Sequence, residues 1–407
     1  MKQNSYISLE SYYLCHYKVK IGCVCCKKQV RLNRISTMIL NSISLLNYKN
    51  LQEVNTVFSP KINCFIGSNG MGKTNLLDAV YYLSFCKSAV TAADSSNIRH
   101  DEPFFMLQGN YQSDSGIDSE VSCGLKRGEK KQFRRDGKLY ERLSDHIGSV
   151  PLVMVSPADS ELIAGGSEER RRFMDVVISQ YNKEYLGALI RYNRALQQRN
   201  ALLRGEREPD GEMMQLIEEM MVDEALVINR NRKAFIDELV PVFERFHGAI
   251  SCCGEVVSLK YRSHMNDGDL LEMLRQSRAD DYRLGHTSKG VHRDELVMSL
   301  GGYPLRREGS QGQNKTFLVS LKLAQYDFLR SKGGEMPLLL LDDIFDKLDS
   351  RRVEQIISLV AGEGFGQIFI TDVNREHIDS ILERVNGGYH LFEVQGGCVE
   401  LLKLREV

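Results

Sequence analysis

Four short stretches of this chain are apolar but for a single amide in two of them: Ile62 to Ile66, Leu152 to Val155, Leu338 to Leu341, and Gln367 to Ile370. Runs of four or five such residues, bounded by Gly, Pro, Ser or Asp, predict strands buried on both faces, as in a parallel sheet. Elsewhere the apolar residues recur at helical spacing. Phe173, Val177, Tyr181, Tyr185, Leu189 and Leu196 form one stripe, and Leu216, Met220, Val227, Ile228, Phe235 and Leu239 form another, with a break at 205–211. Two long helices with a short polar connection predict an antiparallel αα-hairpin. The first should start at Ser167 as N-cap, with Glu168 and Glu169 complementing the positive helix end, and the second should run from Glu212 to about Phe246. Its methionines (Met213, Met214, Met220, Met221) read as core filling.

Between these blocks the pattern is β-like. Ile39–Tyr48 and Val54–Phe58 predict strands around a turn at Asn47–Asn50, and 104–155 is mixed and strand-rich with a hairpin turn at Asp136-Gly137. A closing hairpin is expected at Gly396-Gly397. The fold class is therefore α/β, with a helical insert.

Composition changes little in this picture. At 407 residues, 42% hydrophobic and 26% charged, the chain suggests two to three domain-sized units with a sizeable core. No apolar run reaches the ~20 residues of a membrane helix, and no apolar centre of a secretory signal opens the chain. Ten cysteines without regular spacing fit reduced thiols in a cytoplasm. Cys23, Cys25 and Cys26, with Cys15 or His16, match no zinc spacing. The net charge of −1 conceals asymmetry, since residues 1–37 carry seven Lys/Arg against Glu10 alone. Bulk charge thus gives no reason to invoke nucleic acid. A local patch does: Lys126, Arg127, Lys130, Lys131, Arg134, Arg135 and Lys138 suit either a solvated hairpin or a DNA-phosphate contact surface.

Chemistry is carried by the segment after the first apolar run. Gly67-Ser68-Asn69-Gly70-Met71-Gly72-Lys73-Thr74 is G-x-x-x-x-G-K-[ST] between a strand and a helix. The glycines let backbone wrap a phosphate chain, the helix start favours an anion, Lys73 reaches the β and γ phosphates, and Thr74 offers Mg²⁺ a hydroxyl. This specifies ATP or GTP binding but not its use. Leu338–Leu341 ends in Asp342-Asp343, the Walker B arrangement, in which Asp342 holds Mg²⁺ through water and Asp343 orients the attacking water. Ser310-Gln311-Gly312-Gln313, at the start of a helix with Phe317, Leu321, Ala324 and Phe328 on one face, is a second anion-favouring element. His292-Arg293-Asp294 resembles a kinase triplet, but Glu295 and Met298 break that pattern.

The order of these parts, with Thr74 and Asp342 lying 268 positions apart, resembles the ABC-type ATPase heads of the SMC class. Within that class the chain is similar to the RecF family of bacterial recombination mediators. The likeness rests on Ile43–Asn50, Asn63–Ser88, Pro157–Asp175, Gly290–Leu296, Ser310–Thr316 and Leu338–Asp349, and spans Met38 to the end. It implies an ABC-type head (lobe I) with the αα-hairpin as lobe II. It also implies slow ATP hydrolysis, an ATP-dependent homodimer, DNA binding, and work with RecR and RecO in loading RecA. By the same likeness Ser310, Gly312 and Gln313 would face the Walker residues of a second protomer, and Leu348-Asp349 would be the D-loop. The family pattern starts at Met38, giving expected units at 1–37 (extension), 38–160, 161–285 (helical lobe) and 286–407. Asp343 replaces the Glu of many ABC ATPases, and Thr371-Asp372 lacks the switch histidine of transporters. Two rivals remain: the ATPase subunit of a membrane transporter, and a DNA scaffold that binds ATP without turnover.

Overall fold

The computed structural model describes residues 36–406 apart from 115, 206–209, 252–253, 347, 363 and 385–386. The cysteine cluster at 23–26 and most of the basic segment 1–37 lie outside these residues.

The strands are β1 (Ser36–Tyr48), β2 (Leu51–Val57), β3 (Ile62–Ile66), β4 (Phe104–Ser113), β5 (Asp118–Lys126), β6 (Gln132–Arg135), β7 (Lys138–Leu139) and β8 (Leu152–Val155) in the first part. They continue as β9 (Val257–Arg262), β10 (Glu295–Leu300), β11 (Tyr303–Pro304), β12 (Glu335–Met336), β13 (Leu338–Asp342), β14 (Ile368–Asp372), β15 (Tyr389–Gln395) and β16 (Cys398–Arg405). The main helices are α1 (Lys73–Phe85), α2 (Ser167–Tyr181), α3 (Lys183–Leu203), α4 (Gly211–Ser251), α5 (Leu270–Leu284), α6 (Gln311–Gly333), α7 (Ser350–Val360) and α8 (Arg375–Arg384).

The four apolar runs lie together in one sheet ordered β16-β15-β3-β14-β13-β8, parallel except for the β15/β16 hairpin. Side chains alternate across it. Phe65, Leu338, Leu340, Phe369 and Phe392 face α1 and the second sheet, while Cys64, Ile66, Leu339, Leu341, Ile368 and Ile370 share a core with α6 and the helical lobe. Both faces are covered, which is why these strands read as continuous hydrophobic runs.

The second sheet is mainly antiparallel, ordered β12-β1-β4-β5-β6-β7 with β2 on β1. Its first strand begins at Ser36, two residues before the expected family start, and Ser36 and Thr37 pair with Glu335 and Met336. Asp136 and Gly137 both have positive φ (50° and 76°) and join β6 to β7, the predicted hairpin turn. Buried Gln367 ties the two sheets together: its Oε1 accepts from Leu40 N (2.8 Å), and its Nε2 donates to the carbonyls of Leu40 (2.9 Å) and Ser59 (2.8 Å).

The helical insert differs in detail from the expectation. The first long helix is two helices, α2 and α3, because Asn182 leaves helical geometry (φ −128°, ψ 100°) and its Oδ1 accepts from Tyr185 N at 2.9 Å. An Asn side chain competes for the backbone in this way and starts a new helix. Gly166, not Ser167, holds the cap position of α2; Ser167 Oγ instead donates to Glu295 Oε2 at 2.6 Å. Helices α3 and α4 are antiparallel, as shown by Asn182–Asn231, Arg191–Glu224 and Arg199–Glu218 running in opposite order. The arginines of this lobe divide sharply. Arg230 is exposed, but Arg199 and Arg232 are fully buried. Arg199 binds Glu218 (3.0 Å) and Asp281 (2.7 Å), fixing α5 on the hairpin; Arg232 binds Asp175 and Asp294, both at 2.8 Å. Buried charge persists only with this degree of pairing.

Candidate functional site

The phosphate-type loop leaves the sheet at the end of β3. Gly67 has φ 153°, and a Cβ there would lie 2.3 Å from the Val394 carbonyl oxygen of β15. Gly72, at φ 116°, occupies the cap of α1, where a Cβ would press on Leu51 and Asn50. Both positions therefore require glycine for conformation and for space. Ser68, Asn69 and Gly70 are exposed. The amides of Asn69, Gly70 and Gly72 make no hydrogen bond among the described residues, so they are free for an anionic ligand at the helix start. Lys73 folds back over the loop, its Nζ donating to the carbonyls of Gly67 (2.6 Å) and Ser68 (3.0 Å). Burial lowers its pKa, opposed by Asp343, Asp342 and Asp372. Helix α1 is held from behind by fully buried Asp78, which accepts from Tyr48 Oη (2.6 Å), Lys49 Nζ (2.6 Å), Ser88 Oγ (2.8 Å) and Ala89 N (2.7 Å).

The acidic half comes from the parallel sheet. Because β13 and β14 pair Asp342 with Thr371, and β14 pairs with β3, their C-terminal ends lie beside the loop. Thr74 Oγ1 donates to the Asp342 carboxylate (2.9 Å to Oδ2), as does Thr371 Oγ1 (2.7 Å to Oδ1). Asp342 is buried and forms no ion pair among the described residues. Burial raises its pKa, against the two hydroxyl hydrogen bonds. A buried carboxylate next to a threonine hydroxyl, with no ion-paired cation among the described residues, fits a hard divalent ion such as Mg²⁺.

Asp343 adopts φ 49°, a left-handed conformation uncommon outside glycine, held by its N–H on Thr371 Oγ1 (3.0 Å). Burial raises its pKa, and the neighbouring Asp372 raises it further. Asp372 ends β14 and accepts from His377 at the start of α8, with Nδ1 to Oδ2 at 2.9 Å. The His377 ring also meets Phe345 edge-on at 5.6 Å.

Ser310, Gly312 and Gln313 stand apart from the loop. Ser310 caps α6, and Ser310 and Gln313 form a reciprocal capping box (2.9 and 3.3 Å). Gln313 Nε2 donates to Glu255 Oε1 at 2.7 Å, so the start of α6 is attached to the segment after α4. A Cβ on Gly312 would meet Arg352 at 2.8 Å. Among the described residues none of the three bonds to the phosphate-type loop. Asp349, the D-loop candidate, caps α7 through Arg352 N (3.0 Å).

Asn50 and His377 carry no signal in the sequence, and Thr371 shows only part of its role there. Asn50, on the β1–β2 turn, donates to the Gly70 carbonyl (3.2 Å) and accepts from Asn75 (2.7 Å); nothing in spacing marks it. Thr371 and Asp372 were legible as a strand end, but the link from Thr371 to both carboxyl-bearing residues was not. His377 lies five residues beyond Asp372, at the strand end that lacks the switch histidine of transporters.

Residues 39–398 match the family described as "RecF/RecN/SMC N terminal domain". The "DNA replication and repair protein RecF" of Bacteroides fragilis strain YCH46 is 60% identical over 369 residues, covering 91% of this chain and 100% of that one. Its namesake from Phocaeicola vulgatus is 62% identical over 363 residues, covering 89% and 98%. Among solved structures, "the recombination mediator protein RecF-ATP in RecFOR pathway" superposes with a TM-score of 0.81 at 28% identity, over 90% of this chain and 98% of that one. An Smc head domain from Pyrococcus furiosus shares the fold at a TM-score of 0.56 and 15% identity, over 91% and 97%.

Proposed function

The chain belongs to the RecF family of SMC-like ABC-type ATPase heads, and on that basis we propose that it is an ATP-gated DNA-binding recombination mediator. The observation that carries the reading is the convergence of Lys73, Thr74, Asp342 and Asp343 on one edge of the parallel sheet.

Residues 67–74 bind the ATP phosphates, with backbone amides and Lys73 Nζ as donors; Lys73 exchanges its two loop carbonyls for phosphate oxygens. Thr74 and Asp342 would hold Mg²⁺, which would neutralise phosphate charge. Asp343, made more basic by burial and then by its carboxylate neighbour Asp372, orients and deprotonates the attacking water, while Asp372 and His377 fix the position of that edge. Ser310, Gly312 and Gln313 complete the site of a second protomer, a role consistent with their lack of contact with the loop of their own chain. ATP thus closes a homodimer and slow hydrolysis reopens it.

On this reading the protein is cytoplasmic and binds single-strand/duplex junctions without base specificity, assisting RecA loading together with RecR and RecO. The units at 38–160 and 286–407 form lobe I, and 161–285 forms lobe II. Identity above half to proteins named for DNA replication and repair favours this over a transporter ATPase. Anisotropy of a labelled junction oligonucleotide, titrated with and without ATP and Mg²⁺ at fixed salt, tests it. Tighter binding with ATP is expected, and equal binding in both states would refute the gate.

A further inference from the structure

Two concave clefts lie side by side against helix α3, sharing the side chain of Leu186 as a common wall. The first, about 520 Å³, lies among the end of α1, helix α2 and α3, and is lined by Lys87, Arg171 and Arg172. The second, about 580 Å³, is lined by Arg142, Lys183 and Arg194. Neither contains a residue of the nucleotide site.

The cations in these clefts are not all accounted for by the fold. Lys183 is committed to the carbonyls of Ser144, Asp145 and Ile147, and Arg171 to the Asp294 carbonyl (2.8 Å). Arg232, at the back of the first cleft, is matched by Asp175 and Asp294. Lys87, Arg172, Arg142 and Arg194 have neither a carboxylate nor a carbonyl partner among the described residues. Lys87 is exposed as a whole residue, and partial desolvation in the cleft, then Arg172 and Lys131, disfavour its charge. Opposing acids are present: Glu168 and Asp175 line the first cleft, Asp175 being bound to Arg232, and Asp145 lines the second. Like charges facing one another in a concavity are stabilised by a shared anion.

We propose that these adjoining clefts form a track for the phosphate backbone of a nucleic acid, with Lys87 and Arg172 holding one phosphate group and Arg142 and Arg194 another. This rests on the DNA-binding reading above and assigns it a location distinct from the basic hairpin at 126–138. Two cationic concavities in a row suit a linear polyanion, whereas a small anion would need only one.

The test uses anisotropy of a labelled junction oligonucleotide across a salt series, with Lys87→Ala/Arg172→Ala, Arg142→Ala/Arg194→Ala, and Lys130→Ala/Lys138→Ala as a hairpin comparison. Thermal melting and ATP-dependent dimerisation of each variant confirm that it folds. Each cleft pair should weaken binding uniformly across oligonucleotide sequences and lower the salt slope by about 1, since each pair holds one phosphate group. Cleft variants that bind with the wild-type slope, while the hairpin pair loses affinity, would overturn the assignment and leave DNA binding intact. Wild type that binds no oligonucleotide in any nucleotide state would sink both. Inorganic pyrophosphate competing as well as a longer unlabelled strand would replace the track with a small-anion site.

Discussion

Thr74 Oγ1 lies 2.9 Å from Asp342 Oδ2, although the two stand 268 positions apart in the chain. Everything between them, including the helical lobe, is folded so that one strand end returns beside one helix start. The nucleotide site is therefore a product of sheet order, with β14 inserted between β3 and β13.

Lys73 is the one ammonium on the loop itself. Replacing it with alanine removes a charge-assisted donor worth about 1.5–3 kcal/mol, so ATP binding should weaken at least roughly ten-fold and nucleotide-dependent dimerisation should disappear. Calorimetric titration with ATP and sedimentation in the presence of ATP measure the two effects. A Lys73→Ala protein that still dimerises on adding ATP would contradict the switch.

Asp343→Asn keeps the shape of the strand end and removes the base. Steady-state ATP turnover should fall on the order of 10²–10⁴-fold, with ATP affinity and dimerisation retained. Loss of binding in parallel with turnover would show that Asp343 organises the site and does no chemistry.

His377 touches Asp372 and Phe345 but no residue of the loop. His377→Gln should lower kcat and leave KM for ATP within about two-fold, since only a group that positions Asp372 is altered. An equal rise in KM would place His377 on the nucleotide itself.

Arg232 bridges two helices and the start of β10 from a fully buried position. Arg232→Ala leaves buried Asp294 uncompensated and should cost about 3–5 kcal/mol of stability in urea unfolding. Adding Asp294→Asn should restore part of that loss. No recovery would mean that the side chain matters for packing volume and not for charge.

Stability should also depend on pH through His146. The ring is fully buried, with Nε2 2.7 Å from the Leu83 carbonyl and therefore carrying the proton. Burial pulls its pKa down to about 4, against about 6.5 for an unfolded chain. The unfolded state then binds the extra proton first. The stabilisation is complete above pH 6.5 and is lost as pH falls toward 4, about 2 kcal/mol by pH 5. Melting temperature against pH should show this decline, and His146→Gln should flatten it in part, because His292 is shifted to about 4 as well.

The sequence by itself determined the strands that are buried on both faces and the glycine loop between β3 and α1, because hydrophobic runs and a G-x-x-x-x-G-K-T order are local properties. Asp342 and Asp343 were legible for the same reason: two acids closing an apolar strand are costly unless used. The hairpin at Asp136-Gly137 followed from the need for positive φ. The break at Asn182 did not, since helical periodicity continues through it and only the side chain's bond to Tyr185 N ends one helix and starts the next. The burial of Arg199 and Arg232 was equally hidden. A charged residue on a helix reads as solvated until tertiary packing brings Glu218, Asp281, Asp175 and Asp294 around it. Asn50, Thr371 and His377 joined the site only through pairing of strands and turns remote in sequence. Local chemistry specified what the loop and the strand end can do, and long-range register decided which other side chains surround them.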